Sequence, residues 1–451
     1  MMVSASSDLQ NYFQTYLPMN DNTIVIGAGL AGLTAASTLK AAGKNVVVLE
    51  ASNCAGGRTM RITHNGDAAE AGAQGVHSGY LELLKLVKRY GLSGDLIPQS
   101  NTQACYLSRS GEHVFPSGNF GVRKLLGVRG TAELAWFMVR YMLMMKKFSL
   151  YEIHRDIPEY DNISTAEAFS GTSEEFKDYF LRPAAHAMVG TDIEHTNLYH
   201  FLNLVKLVLT TKVMTLRRGI ASLAEAIADT LDVRYESEVE KLLYERGHVT
   251  GVLLKSGATM KADHVIVACP IGAAAKIVPE EYVVQREFLS AFPNVPLSLV
   301  YFFLDRPLKT SAYVYMGHGH RKATFNMALN HTLKTPHLVP SGKTIISAWP
   351  CYPDSALLAQ QSDAEIIAKA LDDMEIFFPG IAGMVEEAKV QRHHWGFARL
   401  SPGMHAKILE FKRQAQELRG VSFAGNDYDG VHMESAVQSG ARAAERVISG
   451  Q

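Results

Sequence analysis

Cysteine is scarce in this sequence: the four residues Cys54, Cys105, Cys269 and Cys351 lie far apart and form no C-x-x-C pair. That spacing disfavours a zinc site and gives no disulfide framework, so reduced thiols are expected. An excess of charge is missing too, since 44 Lys and Arg stand against 45 Asp and Glu, for a net charge of −1. Without such an excess there is no overall field to attract nucleic acid, and nucleic-acid binding is not expected.

Long hydrophobic runs are also missing. The most apolar stretch, residues 132–145 (AELAWFMVRYMLMM), contains Arg140 and is too short for a transmembrane helix, which needs ~20 apolar residues. Two interpretations stay open: a buried helix beside a substrate channel, or a helix lying on a membrane surface with Lys146 and Lys147 among the headgroups. Residues 1–22 have neither the basic nor the continuous apolar region of a secretion signal. The cytoplasm is therefore the expected location, with peripheral membrane contact as the alternative.

What is present is enough apolar material for two to three domains, because 47% of the 451 residues are hydrophobic. Near the start, residues 23–26 and 46–49 are short, apolar and β-branched, which predicts two buried parallel strands. The residues between them predict a helix over 30–42, with Gly43 as its stop. This strand-helix-strand unit is typical of a nucleotide-binding fold.

The loop inside this unit carries Gly27, Gly29 and Gly32 in a G-x-G-x-x-G pattern. In such a loop the glycines turn the chain, let the backbone approach a pyrophosphate and pack helix on strand, while the helix N-terminus offers free N–H groups. Glu50 ends the second strand, where a carboxylate accepts hydrogen bonds from a ribose 2′-hydroxyl and repels a 2′-phosphate. The sequence therefore predicts a dinucleotide other than NADP.

The segments that follow, GGR at 56–58 and EAGAQ at 70–74, resemble the FAD-contacting segments of the flavin-containing amine oxidase superfamily. This superfamily includes monoamine and polyamine oxidases, L-amino-acid oxidases, protoporphyrinogen oxidases and carotenoid desaturases. Two further blocks resemble it: residues 233–270, a strand-rich segment, and residues 420–450, with a strand at 421–424 and a helix from about 434 to 449. The resemblance implies contacts with FAD at Gly57, Arg58, Gly72, Ala73, Gln74, Val239, Gly425, Asn426, Met433 and Ala436.

The resemblance covers nearly the whole chain and implies an α/β fold with two parts. A discontinuous, Rossmann-like FAD-binding domain is expected from residues 1–80, 205–295 and 385–451, and an α+β substrate-binding domain from residues 81–204 and 296–384. The FAD is expected to be non-covalent, because no cysteine follows Cys351, whereas the covalently linked members carry one just before the last block.

Three side chains are candidates for the reaction itself. The resemblance places Trp395 and His432 near the positions that flank the substrate in amine oxidases. Ser298 takes the approximate position of a lysine that holds a water beside the flavin in those enzymes, which predicts a slow reaction with oxygen. A metal is not expected, because the pairs His393-His394 and His318-His320 lack a third ligand.

The resemblance implies an FAD-dependent oxidoreductase that removes hydride from a C–N or C–C bond of a hydrophobic small molecule, such as a heterocycle. A protoporphyrinogen oxidase and a carotenoid-type desaturase are the alternatives among enzymes of this kind. A redox-silent FAD protein or an isomerase is the alternative from another class. The electron acceptor stays open between oxygen, a quinone and a protein.

Overall fold

The computed structural model describes residues 22–150, 157–320 and 323–450. Most of the N-terminal segment in which no secretion signal is expected, residues 1–21, lies outside them. A parallel sheet organises the first part of the fold. Its strand order is β10 (Asp232–Arg234), β2 (Asn45–Leu49), β1 (Asn22–Ile26), β14 (His264–Val267) and β20 (Val421–Phe423).

This sheet has apolar side chains on both faces, and each face packs into a hydrophobic core. In β1, Ile24 and Ile26 pack into one hydrophobic core while Val25 packs into another on the opposite face. Alternating residues of a strand point to opposite faces, so an uninterrupted apolar run marks a strand covered on both sides. The strands and helix predicted around the glycine loop are confirmed, with helix α1 at Leu30–Ala41.

The helices that follow α1 cover the sheets and link them. They are α2 (Leu81–Arg89), α3 (Gly118–Met144), α4 (Pro158–Asp161), α5 (Thr165–Ala168), α6 (Glu174–Phe176), α7 (Arg182–Val189), α8 (Leu198–Thr210), α9 (Ala221–Ala228), α10 (Ile271–Ile277), α11 (Val283–Ala291), α12 (His331–Lys334), α13 (Asp354–Leu358), α14 (Asp363–Phe377), α15 (Met404–Ala415) and α16 (Met433–Ser449).

A larger, mostly antiparallel sheet forms the second part of the fold. Its order is β19 (Val385–Ala398), β15 (Asn294–Leu304), β18 (Ile345–Pro350), β17 (Phe325–Asn330), β16 (Val314–Met316), β7 (Ala104–Leu107) and β8 (His113–Val114). Strand β19 pairs with β15 along most of its length, from Asn294 opposite Ala398 to Leu304 opposite Val385. Residues 385–398 thus belong to this sheet, although the sequence division grouped them with the FAD-binding segments.

Three small sheets complete the described part of the chain. They are β11 (Val239–Glu245) with β12 (His248–Leu254) and β13 (Thr259–Lys261); β3 (Arg61–His64) with β4 (Asp67–Glu70); and β5 (Val76–His77) with β9 (Val213–Leu216) and β6 (Leu96–Pro98). The first contains three strands of the second sequence block, which was expected to be strand-rich; the last strand of that block, β14, joins the parallel sheet instead. Together the two large sheets make a mixed α/β fold, while the exact domain division stays a prediction.

Candidate functional site

One large cavity, of about 1040 Å³, runs between the parallel sheet and the seven-stranded sheet. Ordinary ligand pockets have volumes of ~300–1,000 Å³, so this one has room for a cofactor and a substrate together. The predicted residues that line it are Gly27, Gly29, Glu50, Gly57, Arg58, Gly72, Ala73, Gln74, Val239, Trp395, Gly425, Asn426, His432, Met433 and Ala436. Segments far apart in sequence thus meet at one place.

The glycine loop has the shape that the pattern predicts. A Cβ on Gly32 would lie 1.9 Å from the Gly27 carbonyl oxygen, so Gly32 packs the helix on the turn instead of lining the cavity. Helix α1 starts after Gly29 without a side-chain cap and without an acidic residue in its first turn. Its N-terminal N–H groups and dipole are therefore suited to an anion such as the FAD diphosphate.

Glu50 stands at the carboxyl end of β2 beside this loop. Its Oε2 accepts a hydrogen bond from the Ala28 N–H at 2.7 Å, and its Oε1 accepts one from the Ser52 N–H at 2.9 Å. These bonds fix the carboxylate at the cavity wall, at the end where Val239 also lines it. The position fits a contact with the ribose of a dinucleotide.

Arg58 connects three of the segments that line the cavity. Its guanidinium donates to Asp427 Oδ1 at 2.9 Å, to Asn426 Oδ1 at 2.5 Å and to the Gly396 carbonyl oxygen at 3.3 Å. The other Asp427 oxygen accepts from the Ile271 N–H, at the start of α10, at 3.2 Å. This network holds the GGR segment, strand β19 and the last sequence block together.

His432 is the N-cap residue of α16, the long C-terminal helix. Its Nδ1 accepts from the Ser435 N–H at 3.4 Å, which leaves the proton of the neutral ring on Nε2. The ring stacks on Tyr80, with centroids 5.3 Å apart. Burial, with a smaller effect of His77, lowers the pKa of His432 to about 3. The imidazole is therefore neutral at physiological pH and offers a hydrogen-bond donor without a charge.

Trp395 lines the cavity from β19, and its ring lies against the first turn of α10. A Cβ built on Gly272 would come within 1.7 Å of the Trp395 Cη2 atom, so a glycine is required beneath this indole. The backbone at Gly272 thus holds one side of the Trp395 ring in place.

Ser298 does not line the cavity, although the resemblance gave it an approximate position beside the flavin. Its neighbours Leu297 and Leu299 line the cavity, whereas Ser298 lies buried on the other face of β15. The predicted slow reaction with oxygen therefore loses its structural basis in this residue.

Sequence reasoning missed a buried lysine behind the cavity wall. Lys334 is 0% exposed and its Nζ donates to Gln74 Oε1 at 2.7 Å. Burial lowers the pKa of Lys334 to about 8, although the Glu70 carboxylate opposes that shift. Burial likewise raises the pKa of Glu70, whose Oε1 accepts from the Ile220 N–H at 2.9 Å. A lysine in a short helix carries no sequence signal for such burial.

The part of the cavity beyond the FAD segments, called here the apolar chamber, is formed by the seven-stranded sheet and by α7 and α8. It is lined by Ala187, Met188, Leu204, Leu207, Val208, Leu297, Leu299, Met316, Met327, Leu329 and Trp349. Such a surface favours an apolar ligand because it offers water few hydrogen bonds.

The acidic groups of the described cavity lining lie at its nucleotide end. Within the described chain the carboxylates of the lining are Glu50, Glu238 and Glu240, and the Ser237 N–H, next to Glu238, donates to the Glu50 carbonyl oxygen, so they lie at the nucleotide end. Burial lowers the pKa of His77, also in the lining, to about 4. Among the residues that the structure describes, the chamber therefore has no carboxylate to pair with a charged amine.

Two other features bear on cofactor chemistry. Cys269 lines the cavity, but burial raises the pKa of its thiol to about 12, so the thiol stays protonated and is a poor nucleophile. In the described residues no group of three His, Cys, Asp or Glu side chains is arranged to hold a metal. The paired histidines have other partners: His318 lies 3.1 Å from His186, and His393 Nε2 contacts the Ala71 carbonyl oxygen.

Within the described ranges, every helix is too short or too polar to cross a membrane. Helix α3 contains most of the apolar stretch and packs one of its faces into the core, through Phe137 and Tyr141. Its other face remains exposed.

A comparison with protein-family models identifies one family along almost the whole chain. The sequence model described as flavin containing amine oxidoreductase matches residues 30–448. Coproporphyrinogen III oxidase of Bacillus subtilis (strain 168) is 22% identical over 473 residues, which cover 95% of this chain and 98% of that protein. The zeta-carotene desaturase of Arabidopsis thaliana is 23% identical over 326 residues, covering 61% of this chain and 56% of that protein.

A solved structure, the CLA-producing fatty acid isomerase from P. acnes, superposes with a TM-score of 0.75 and 18% identity, covering 96% of this chain and 99% of that one. This likeness shows the fold.

Proposed function

The chain belongs to the flavin-containing amine oxidoreductase family and is an enzyme that uses FAD, and we propose that it removes hydride from a C–N or C–C bond of an uncharged, hydrophobic small molecule. A heterocycle or a polyene chain meets this description. Oxygen, a quinone or another protein then takes up the electrons. The FAD is held non-covalently by the segments that line the cavity.

The observation that carries this proposal is the lack of a counter-ion in the apolar chamber. A substrate with an ammonium group would lose its hydration there without gaining a carboxylate partner among the described residues, and an unpaired buried charge costs several kcal/mol. Arg58 is neutralised by Asp427, and Arg392, which also lines the cavity, is paired with Asp363 at 2.5 Å. An apolar substrate gains binding free energy from the same surface, ~25 cal/mol for each Å² buried.

Bound FAD supplies a two-electron acceptor, so the protein needs no nucleophile or metal of its own. The residues of this chain bind and orient the substrate. Leu297 and Leu299 exclude water from one side of the apolar chamber, while Trp395 and the neutral His432 stand where the chamber meets the FAD segments. Positioning of this kind lowers the activation barrier of hydride transfer, because the substrate is already oriented when it is bound.

The test is anaerobic reduction of the flavin, followed by loss of its visible absorption band. A polyene hydrocarbon in detergent is expected to bleach the band, whereas a primary amine and an amino acid are expected to leave it unchanged at equal concentration. Bleaching by the charged amine alone would overturn the proposal. Conversion of an apolar substrate to an isomer with no net bleaching would indicate the isomerase alternative instead.

A pair of variants at the surface tests the apolar chamber itself. Val208 is 55% exposed and lines the cavity, whereas its neighbour Leu209 is exposed without lining it. Val208→Asp should lower kcat/KM for the apolar substrate by about tenfold or more, because the bound substrate would remove water from the new carboxylate. Leu209→Asp is the matched control and should have little effect in detergent. Equal effects of the two variants would contradict the assignment of the chamber.

A porphyrinogen oxidase is the second candidate, favoured by the full-length match to coproporphyrinogen III oxidase. A porphyrinogen carries carboxylates, which require cations near the entrance of the cavity. Lys276 lines the cavity and is exposed, and it is the residue to examine. Anaerobic bleaching by a porphyrinogen that is lost in Lys276→Met would support this candidate over the first.

A further inference from the structure

Helix α3 exposes a continuous apolar stripe to solvent. After a break at Gly127, where φ is +64°, Trp136, Val139 and Leu143 stand 53%, 64% and 83% exposed. These residues recur at spacings of three, four and seven, so they share one face of the helix. Val128 and Met142 extend the same face. We call this set of five residues the α3 stripe.

The opposite face of this helix is apolar as well. Phe137 and Tyr141 are buried, and the Tyr141 hydroxyl donates to the Leu202 carbonyl oxygen of α8 at 2.7 Å. A helix on the surface of a protein normally has one polar face, and a helix that is apolar all round is normally covered. The inward face already anchors the helix, so the α3 stripe is not needed for the core and implies a partner.

The charges along this segment indicate which partner. Residues 118–147 contain six Lys and Arg and a single acidic residue, Glu133. Among the residues that the structure describes, Arg129 pairs with Glu133, and Lys124 pairs with Glu112 outside the segment, so these two carboxylates leave a balance of 6 − 2 = +4. The Arg140 guanidinium lies over the Trp136 ring at 4.7 Å, beside the stripe. Apolar side chains bordered by cations are the pattern of a helix at the surface of an anionic bilayer.

A second copy of this chain is a poorer partner for the same surface. Two such helices facing each other would bring two positive segments together, and the repulsion would oppose association. An anionic lipid surface satisfies both the apolar face and the cations.

The cavity opens at α8, the helix that contacts the inward face of α3. Val208, which lines the cavity and is half exposed, lies near the end of α8, and Lys206 of the same helix donates to the Phe148 carbonyl oxygen just beyond α3. Leu209 is exposed beside it. From this arrangement we propose that the α3 stripe docks on an anionic lipid surface and turns the opening at Val208 toward the bilayer.

Vesicle co-sedimentation tests this proposal with the full-length holoprotein. Binding to vesicles of phosphatidylcholine with phosphatidylglycerol is expected, with weaker binding to phosphatidylcholine alone and release by salt. The triple variant Trp136→Ser, Val139→Ser, Leu143→Ser should bind the vesicles at least about tenfold more weakly, because three apolar side chains no longer enter the interface. No binding of the unmodified protein to either vesicle would overturn the proposal.

A control triple variant separates this surface from general hydrophobicity. Val283→Ser, Val284→Ser and Leu357→Ser change three exposed apolar residues elsewhere and should leave vesicle binding unchanged. An equal loss with this control would overturn the assignment to α3. A second result would also overturn it. Light scattering would show that the unmodified protein is a dimer and the α3 triple variant a monomer, while both proteins bind vesicles equally.

The docking proposal and the substrate proposal are tested by separate experiments, so one can be wrong while the other holds. Flavin bleaching is measured with substrate in detergent, where no bilayer is present. The docking proposal requires only that the protein binds vesicles through α3.

Discussion

Arg58 and Asp427, which are 369 positions apart in the chain, form an ion pair of 2.9 Å at the wall of the cavity. Arg58→Met should weaken FAD binding about ten- to a hundredfold, since a hydrogen bond to a charged group contributes ~1.5–3 kcal/mol. Titration of the apoprotein with FAD, followed by flavin fluorescence, measures the change. Arg61→Met is the matched control, because Arg61 pairs with Glu225 outside the cavity. Equal affinities for the two variants would remove Arg58 from the cofactor site.

Gly272→Ala is expected to displace the Trp395 indole, because the new methyl group would occupy the position of the ring. Overpacking of this kind costs ~1–3 kcal/mol of stability, and here it also changes the wall of the cavity. Tryptophan fluorescence and KM for the substrate should both change. Gly383→Ala, where a Cβ has open space around it, is the control. A second change, Trp395→Leu, should restore the stability of the Gly272→Ala protein; failure to do so would place the strain elsewhere.

His432 is replaced in two ways to separate its capping role from its ring. His432→Ser keeps a side chain that caps a helix, whereas His432→Ala removes the cap and should lower the free energy of unfolding by ~1 kcal/mol relative to the serine variant. The folded-state pKa of about 3 lies below the usual value of 6.5, so the unmodified protein should lose stability relative to His432→Ser as the pH falls through 6.5 toward 3. Urea unfolding at several pH values measures both effects. A parallel pH dependence of the two proteins would contradict the buried, neutral histidine.

Lys334 predicts a pH dependence of the same sign in a higher pH window. Its pKa falls from the usual 10.5 to about 8 in the folded protein, so between these values the unfolded chain holds a proton that the folded chain has lost. Stability should therefore rise with pH in this window, relative to a Lys334→Met variant that lacks the group. Urea unfolding across the window tests this. Lys407→Met, at an exposed lysine of α15 outside the cavity, is the control. A difference between the unmodified protein and Lys334→Met that stays flat across the window would contradict the prediction.

The local parts of the site could be read from the sequence, because short-range chemistry determines them. The glycine loop, Glu50 and the C-terminal helix were predictable, and α16 starts only one residue before the expected position. The side-chain direction of Ser298 was not, because side chains alternate along a strand and a shift of one residue turns the other face to the cavity. Leu297 and Leu299, on either side of Ser298, line the cavity instead.

Long-range features could not be read in this way. The pairing of β19 with β15 joins residues almost a hundred positions apart, and no local pattern in either strand indicates the other. The burial of Lys334 against Gln74 depends likewise on two elements 260 residues apart. In both cases the tertiary fold determines the contact, whereas patterns in a single sequence indicate only local structure.

The close crossing of α1 and α16 has a consequence for biosynthesis. A Cβ on Gly440 would lie 2.1 Å from the Ala31 carbonyl oxygen, so the first helix completes its packing only against the C-terminal one. During translation the glycine loop is made long before the opposite wall of its cavity, Gly425 to Ala436. Contacts of such long sequence separation form late in folding. Uptake of the flavin is therefore expected only after Ala436 has left the ribosome, and a yellow nascent chain that stops before Gly425 would contradict it.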